Sequence, residues 1–144
     1  MPKAVYVPKS MVDEALATPP TQGKHYLPGF GSFCTETHFP ANILEDHHLE
    51  VGIPEWHRHE EDLWICLEGS VVFTVNGTGK GVYQKEGDER EWKAATIEGG
   101  TEYTLRTGDV LWIPAGVWHM HTTVRTARLF IIKRTVSELA PKPI

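Results

Sequence analysis

From about residue 32 to residue 135 the chain alternates apolar and polar positions with a period of two. The runs SFCTETHFP, HHLEVGI, DLWICLEGSVVFTVNG, TEYTLRTGDVLWIPAG and ARLFIIKRT are short, rich in Val, Ile, Phe, Trp and Thr, and bounded by Gly, Pro, Asn or Asp. Such runs predict strands. No helical period is sustained long enough to supply βαβ crossovers, so an all-β antiparallel sandwich or barrel is expected. Upstream, VDEALATPP is the one helix-like piece and QGKHYLPGFGS reads as a loop. Residues 1–31 are therefore expected as an N-terminal arm, 32–135 as the β domain, and 136–144 as a Pro-broken C-terminal tail. Asn76-Gly77-Thr78 suits a hairpin turn, Glu98-Gly99-Gly100 and Gly108-Asp109 suit further turns, and the polar, Gly-rich stretch 77–90 reads as a long loop.

Composition narrows the function more than the fold. The 144 residues fit one domain that buries roughly 70% of the surface its unfolded chain would expose. A net charge of −5 with no basic run longer than a pair argues against nucleic acid or an anionic membrane surface as partner. Neither a signal-peptide-like apolar region nor a stretch near the ~20 apolar residues of a span occurs, so a cytoplasmic protein is expected. Cys34 and Cys66 are then free thiols.

The chemistry concentrates in PEWHRHEEDLWICLEG, residues 54–69. On a strand, residues i and i+2 face one way, so His57 and His59 would present both imidazoles to one side. Asp62 follows a two-residue turn and would open the next strand, with Trp64 and Cys66 on its face. Downstream, GDVLWIPAGVWHMH offers His119 and His121 at the same i, i+2 spacing. Three or four imidazoles with one carboxylate suit a divalent transition metal better than Ca²⁺, which takes oxygen ligands.

The two segments resemble the paired motifs of the cupins. Gly108, Pro114, Gly116 and His119 match the second motif in spacing, with Thr123 where the family places Asn. Gly52, His57, His59 and Gly69 match the first, with Asp62 in place of the usual Glu and a shorter spacer. This resemblance implies a cupin jelly-roll barrel, or double-stranded β-helix, holding one metal at its mouth through His57, His59 and His119, with Asp62 either a fourth ligand or, one methylene shorter than the usual Glu, behind a three-His site. Glu61 is a fallback ligand, and Asp62 or His121 would move protons. Trp64, Cys66 and Trp112 are expected to line the substrate pocket. The resemblance implies a homodimer but does not fix the chemistry; one divalent transition metal is expected, iron first with Mn, Ni or Zn as alternatives, together with a small-molecule substrate. An Fe(II) dioxygenase acting on an enolisable or aromatic compound is the leading expectation. A non-redox lyase, isomerase or cyclase, and a non-catalytic ligand-binding cupin, are the alternatives.

Overall fold

The computed structural model describes residues 1–143, so the last residue of the expected 136–144 tail lies outside it. Two helices, α1 (Lys9–Leu16) and α2 (Pro28–Thr37), flank a short strand β1 (Gly23–Tyr26). The strands that follow are β2 (Ala41–Leu49), β3 (Glu55–His57), β4 (Glu60–Glu68), β5 (Ser70–Val75), β6 (Thr78–Lys80), β7 (Tyr83–Gln84), β8 (Glu91–Lys93), β9 (Thr96–Glu98), β10 (Thr101–Arg106), β11 (Val110–Ile113) and β12 (His119–Thr135). Every pairing is antiparallel.

The 17-residue β12 organises the molecule. Its first residues pair with β5 and β3, as in His121↔Phe73 and His119↔Glu55. Its later residues pair with β2 and β4, as in Ile131↔Asn42 and Ile131↔Trp64. The register shifts between Thr123 and Thr126, a bulge at which the strand passes from one sheet to the other. One sheet runs β1-β2-β12-β4-β11 and the other β10-β5-β12-β3-β8-β7, with β6 and β9 as a separate ribbon. Between them lies a core that includes Trp64, Phe73, Leu105, Ala127, Leu129 and Ile131. The alternation expected from Asp62 holds, because Asp62, Trp64 and Cys66 are all buried while their neighbours in β4 are less so.

Several expectations are corrected. SFCTETHFP is not a strand, since residues 32–37 belong to α2. Pro28 occupies the first helical turn, Phe30 and Cys34 fall one turn apart on the buried face, and His38 ends the helix in the left-handed conformation at φ 56°. The arm–domain boundary at residue 31 therefore falls within a helix, and α1, α2 and Ile43 share a second apolar cluster. The strand is Ala41–Leu49 rather than HHLEVGI, and Glu45 and Asp46, fully buried inside it, break the alternating pattern that would have marked it. Asn76, at φ 65°, does turn the chain, but β5 and β6 do not pair, so no hairpin forms there. The stretch 77–90 carries the short strands β6 and β7 rather than being loop throughout.

Candidate metal centre

β3 presents Glu55 and His57 to one side and Trp56 to the other, where Trp56 packs with Trp92 and Trp118. Across the sheet His119 pairs with Glu55, which brings the β12 imidazole beside the β3 side chains. Asp62 arrives from the start of β4. His57 Nε2 and His119 Nε2 each lie 3.7 Å from Asp62 Oδ2, and the two imidazole centroids are 5.1 Å apart. All three atoms are buried and without a hydrogen-bond partner. Buried polar atoms are normally paired, and one shared cation would satisfy all three of these together. Ligands at right angles on ~2.1 Å bonds stand ~3.0 Å apart, so a contraction of several tenths of an ångström would bring these donors onto one ion.

The surroundings prepare each donor. His119 Nδ1 lies 3.0 Å from the Val117 carbonyl, which can only accept, so Nδ1 carries the proton and Nε2 keeps its lone pair. Burial lowers the pKa of His119 against the opposing pull of Asp62. Burial, reinforced by His119 and Lys133, pushes His57 down to about 3. Both imidazoles are therefore neutral, as ligation requires. Asp62 is raised by burial, with Lys133 pulling the other way through a 3.1 Å contact to Oδ1. Lys133 also donates to Glu60 at 2.9 Å, and these two carboxylates raise the lysine despite its burial.

A cavity of about 590 Å³ opens over this cluster. Leu44, Trp64 and Ile131 supply apolar wall, Lys24 and Tyr26 come from β1, and Lys85 and Arg90 from the segment after β7. The long 77–90 stretch thus borders the mouth. Burial raises the Tyr26 hydroxyl.

His59 lies on the same cavity with a buried, unpartnered Nδ1, but outside the two donor groups whose atoms fall within 4.8 Å of one another: Glu55, His57 and His119; and His57, Glu60 and Asp62. The reason is local. β3 ends at His57, whose carbonyl accepts from Gly116 N–H, and residues 58–59 bend so that the His59 carbonyl accepts from Val136 N–H. The i, i+2 parity that would align both imidazoles does not extend to His59.

His121 shares the inward face of β12 but does not line the cavity. Its Nδ1 lies 2.5 Å from Asp46 Oδ2, and its ring sits between Phe73 and Trp64. Glu61 turns away to Arg134 Nε at 2.5 Å. Of the expected pocket residues, Trp64 lines the cavity. Cys66 belongs to the core, with Sγ donating to the Glu68 and Gly69 carbonyls. Trp112 is 57% exposed on the outer face of β11, because alternation there sends Leu111 and Ile113 inward instead. Sequence reasoning passed over Glu55, which shares the parity of His57, and the lysines, which arrive from distant strands.

No family model matches the chain, and no curated protein matches it. Solved structures do. The cupin domain of Schizosaccharomyces pombe Cnp3 is 16% identical with a TM-score of 0.46, over 66% of this chain and 54% of that one. The Clostridium difficile EutQ protein is 10% identical with a TM-score of 0.43, over 67% and 52%. FeII HppE is 15% identical with a TM-score of 0.45, over 65% and 42%. The match therefore spans about half the length of these relatives and concerns the fold alone. What the chain shares with these structures, the first of them a cupin domain, is a likeness of fold, and within it the two motif segments meet where the antiparallel sheets share β12.

Proposed function

We propose that this protein is a mononuclear metal-dependent oxygenase, in first place an Fe(II) dioxygenase acting on a small enolisable or aromatic compound. The observation that carries the reading is the convergence of His57 Nε2, His119 Nε2 and Asp62 Oδ2, all buried and unpartnered. Two imidazoles and one carboxylate are the facial donor set of non-haem Fe(II) oxygenases. Iron held there would supply a site for substrate chelation and for O₂ at neighbouring positions.

The chain's own groups do the rest. His119 Nε2 is kept unprotonated by the Val117 carbonyl, and Lys133 holds Asp62 Oδ1 so that Oδ2 faces the imidazoles. Leu44, Trp64 and Ile131 exclude water from the inner wall, and a cavity of about 590 Å³ admits a small planar molecule. His59 Nδ1, buried on the cavity and free of a partner, is the group available to accept a substrate proton.

Elemental analysis of protein purified without added metal or chelator, with oxygen uptake on β-diketones, catechols and phenolic acids, tests this. Near-stoichiometric iron and substrate-dependent uptake are expected. Zinc, nickel or manganese without uptake would replace the reading by a lyase or isomerase, and failure to bind any divalent metal after reconstitution would leave a ligand-binding module.

A further inference from the structure

We infer that Glu55 is a fourth protein ligand to the metal, so that the centre is built from two imidazoles and two lysine-tethered carboxylates. The inference rests on the metal-site reading above. Its ground is a repeated arrangement. Lys133 holds Asp62 Oδ1 at 3.1 Å, while Asp62 Oδ2 turns to the two imidazoles. Glu55 copies this: Lys24 and Lys93 hold Oε1 at 3.2 and 3.0 Å, while Oε2 lies 4.0 Å from His57 Nε2. Each carboxylate has one oxygen tied to ammonium groups and the other directed inward.

Backbone register places Glu55 for this role. It lies directly across from His119 and two residues before His57 on the same face of β3. Donor atoms of Glu55, His57 and His119 all fall within 4.8 Å of one another. Glu60 also approaches, but its group contains His57 and Asp62 and not His119, and its side chain is more exposed, 31% against 19%. Between Glu55 and Glu60, it is thus Glu55 that joins Asp62 in meeting both imidazoles.

Electrostatics favour the same assignment. Burial pushes the Glu55 carboxyl up, but Lys24 and Lys93 outweigh it and hold the group well below the usual carboxylate range. Two carboxylates cancel a dication inside a partly buried site, and the added oxygen donor makes the centre harder, favouring Mn²⁺ or Fe²⁺ over Cu²⁺. Tethering also fixes both carboxylates as one-oxygen ligands. Lys24 belongs to β1, so the N-terminal segment takes part in building the centre.

The test uses the full chain, stripped with chelator and titrated with Mn²⁺ by calorimetry, with water-proton relaxation of the complex reporting the waters on the ion. Glu55→Gln is expected to weaken binding about a hundredfold and to admit about one more water. Glu60→Gln removes the same charge from the same cavity and is expected to leave the water number unchanged. Circular dichroism of the stripped variants checks the fold. Where Glu55→Gln does not fold, Glu55→Asp keeps the charge and lysine partners but withdraws the oxygen by one methylene, and the same gain of water is expected. Equal affinities and water numbers for the Glu55 and Glu60 variants would overturn the inference while leaving the metal centre standing. A wild-type chain that binds no Mn²⁺ would overturn both.

Discussion

Arg128→Met removes the guanidinium that joins the N-terminal segment to the sheet. Arg128 is 3% exposed, and its Nε and Nη2 lie 2.8 and 2.6 Å from Glu45 Oε2. Its two terminal nitrogens also donate to the carbonyls of Leu16, the last residue of α1, and Thr18, just beyond it. Removing one partner of a buried ion pair costs about 3–5 kcal/mol, because the other charge stays buried without compensation. Glu45 would keep Thr21 N–H at 2.9 Å and His25 Nε2 at 3.1 Å, and the two freed carbonyls can meet water. The lower end, about 3 kcal/mol, is therefore expected, a fall of about 10 °C in Tm for a domain of this size. Urea unfolding followed by tryptophan fluorescence measures it. The double variant Arg128→Met/Glu45→Met removes both charges and is expected to recover most of the loss. A single variant within 1 kcal/mol of wild type, by the scale of ordinary surface changes, would refute the reasoning, and so would a double variant no more stable than the single.

Asp62→Asn keeps the side-chain shape but not the charge, and calorimetry with Mn²⁺ should register a loss of affinity of about a hundredfold or more. The metal-free protein should lose stability in acid. His57, held at about 3 in the native state, stays neutral between pH 6.5 and 3 while the unfolded chain takes up a proton. Stability then falls by about 1.4 kcal/mol for each pH unit below 6.5, and His119 shifts in the same direction. Asp62, raised by burial, takes its proton in the native state first and returns part of the loss at the acid end. Urea midpoints that do not move between pH 7 and 5 would contradict this assignment. Trp112→Ser should change stability by about 0.5 kcal/mol or less and leave Mn²⁺ affinity intact, since the ring is 57% exposed on the outer face, whereas Phe73→Ala should cost about 3–5 kcal/mol in the same denaturation experiment.

How much could be read beforehand differs from residue to residue. The inward direction of Asp62 and His119 was legible because both lie within regular strands, where parity carries side-chain direction, and because the turns at Gly108 and Gly116 have the positive φ their glycines announce. His59 was not, since β3 stops at His57 for reasons held elsewhere, in the amides of Gly116 and Val136. Glu55 had the right parity, but nothing near it in the chain reveals Lys24 and Lys93, which reach it across other strands. β2 was obscured because Glu45 and Asp46 are buried through partners as remote as Arg128 and His121. α2 was misread because Phe33 and Phe39 imitate a strand's rhythm while Phe30 and Cys34 set the face that packs. Trp112 was misplaced by treating a large aromatic as inward by default.

The sharing of β12 between both sheets has a kinetic consequence. Its partners lie far back in the chain, as in Ile132 with Ala41 and His119 with Glu55, so few of its contacts can form early. Topologies dominated by such distant pairings fold slowly, because the entropy of closing long loops must be met before the contacts return it. The donors on β3 and β4 are close in sequence, but His119 joins them only once β12 has docked. A divalent ion can therefore stabilise the finished protein without guiding the search for it, and should slow unfolding more than it speeds folding.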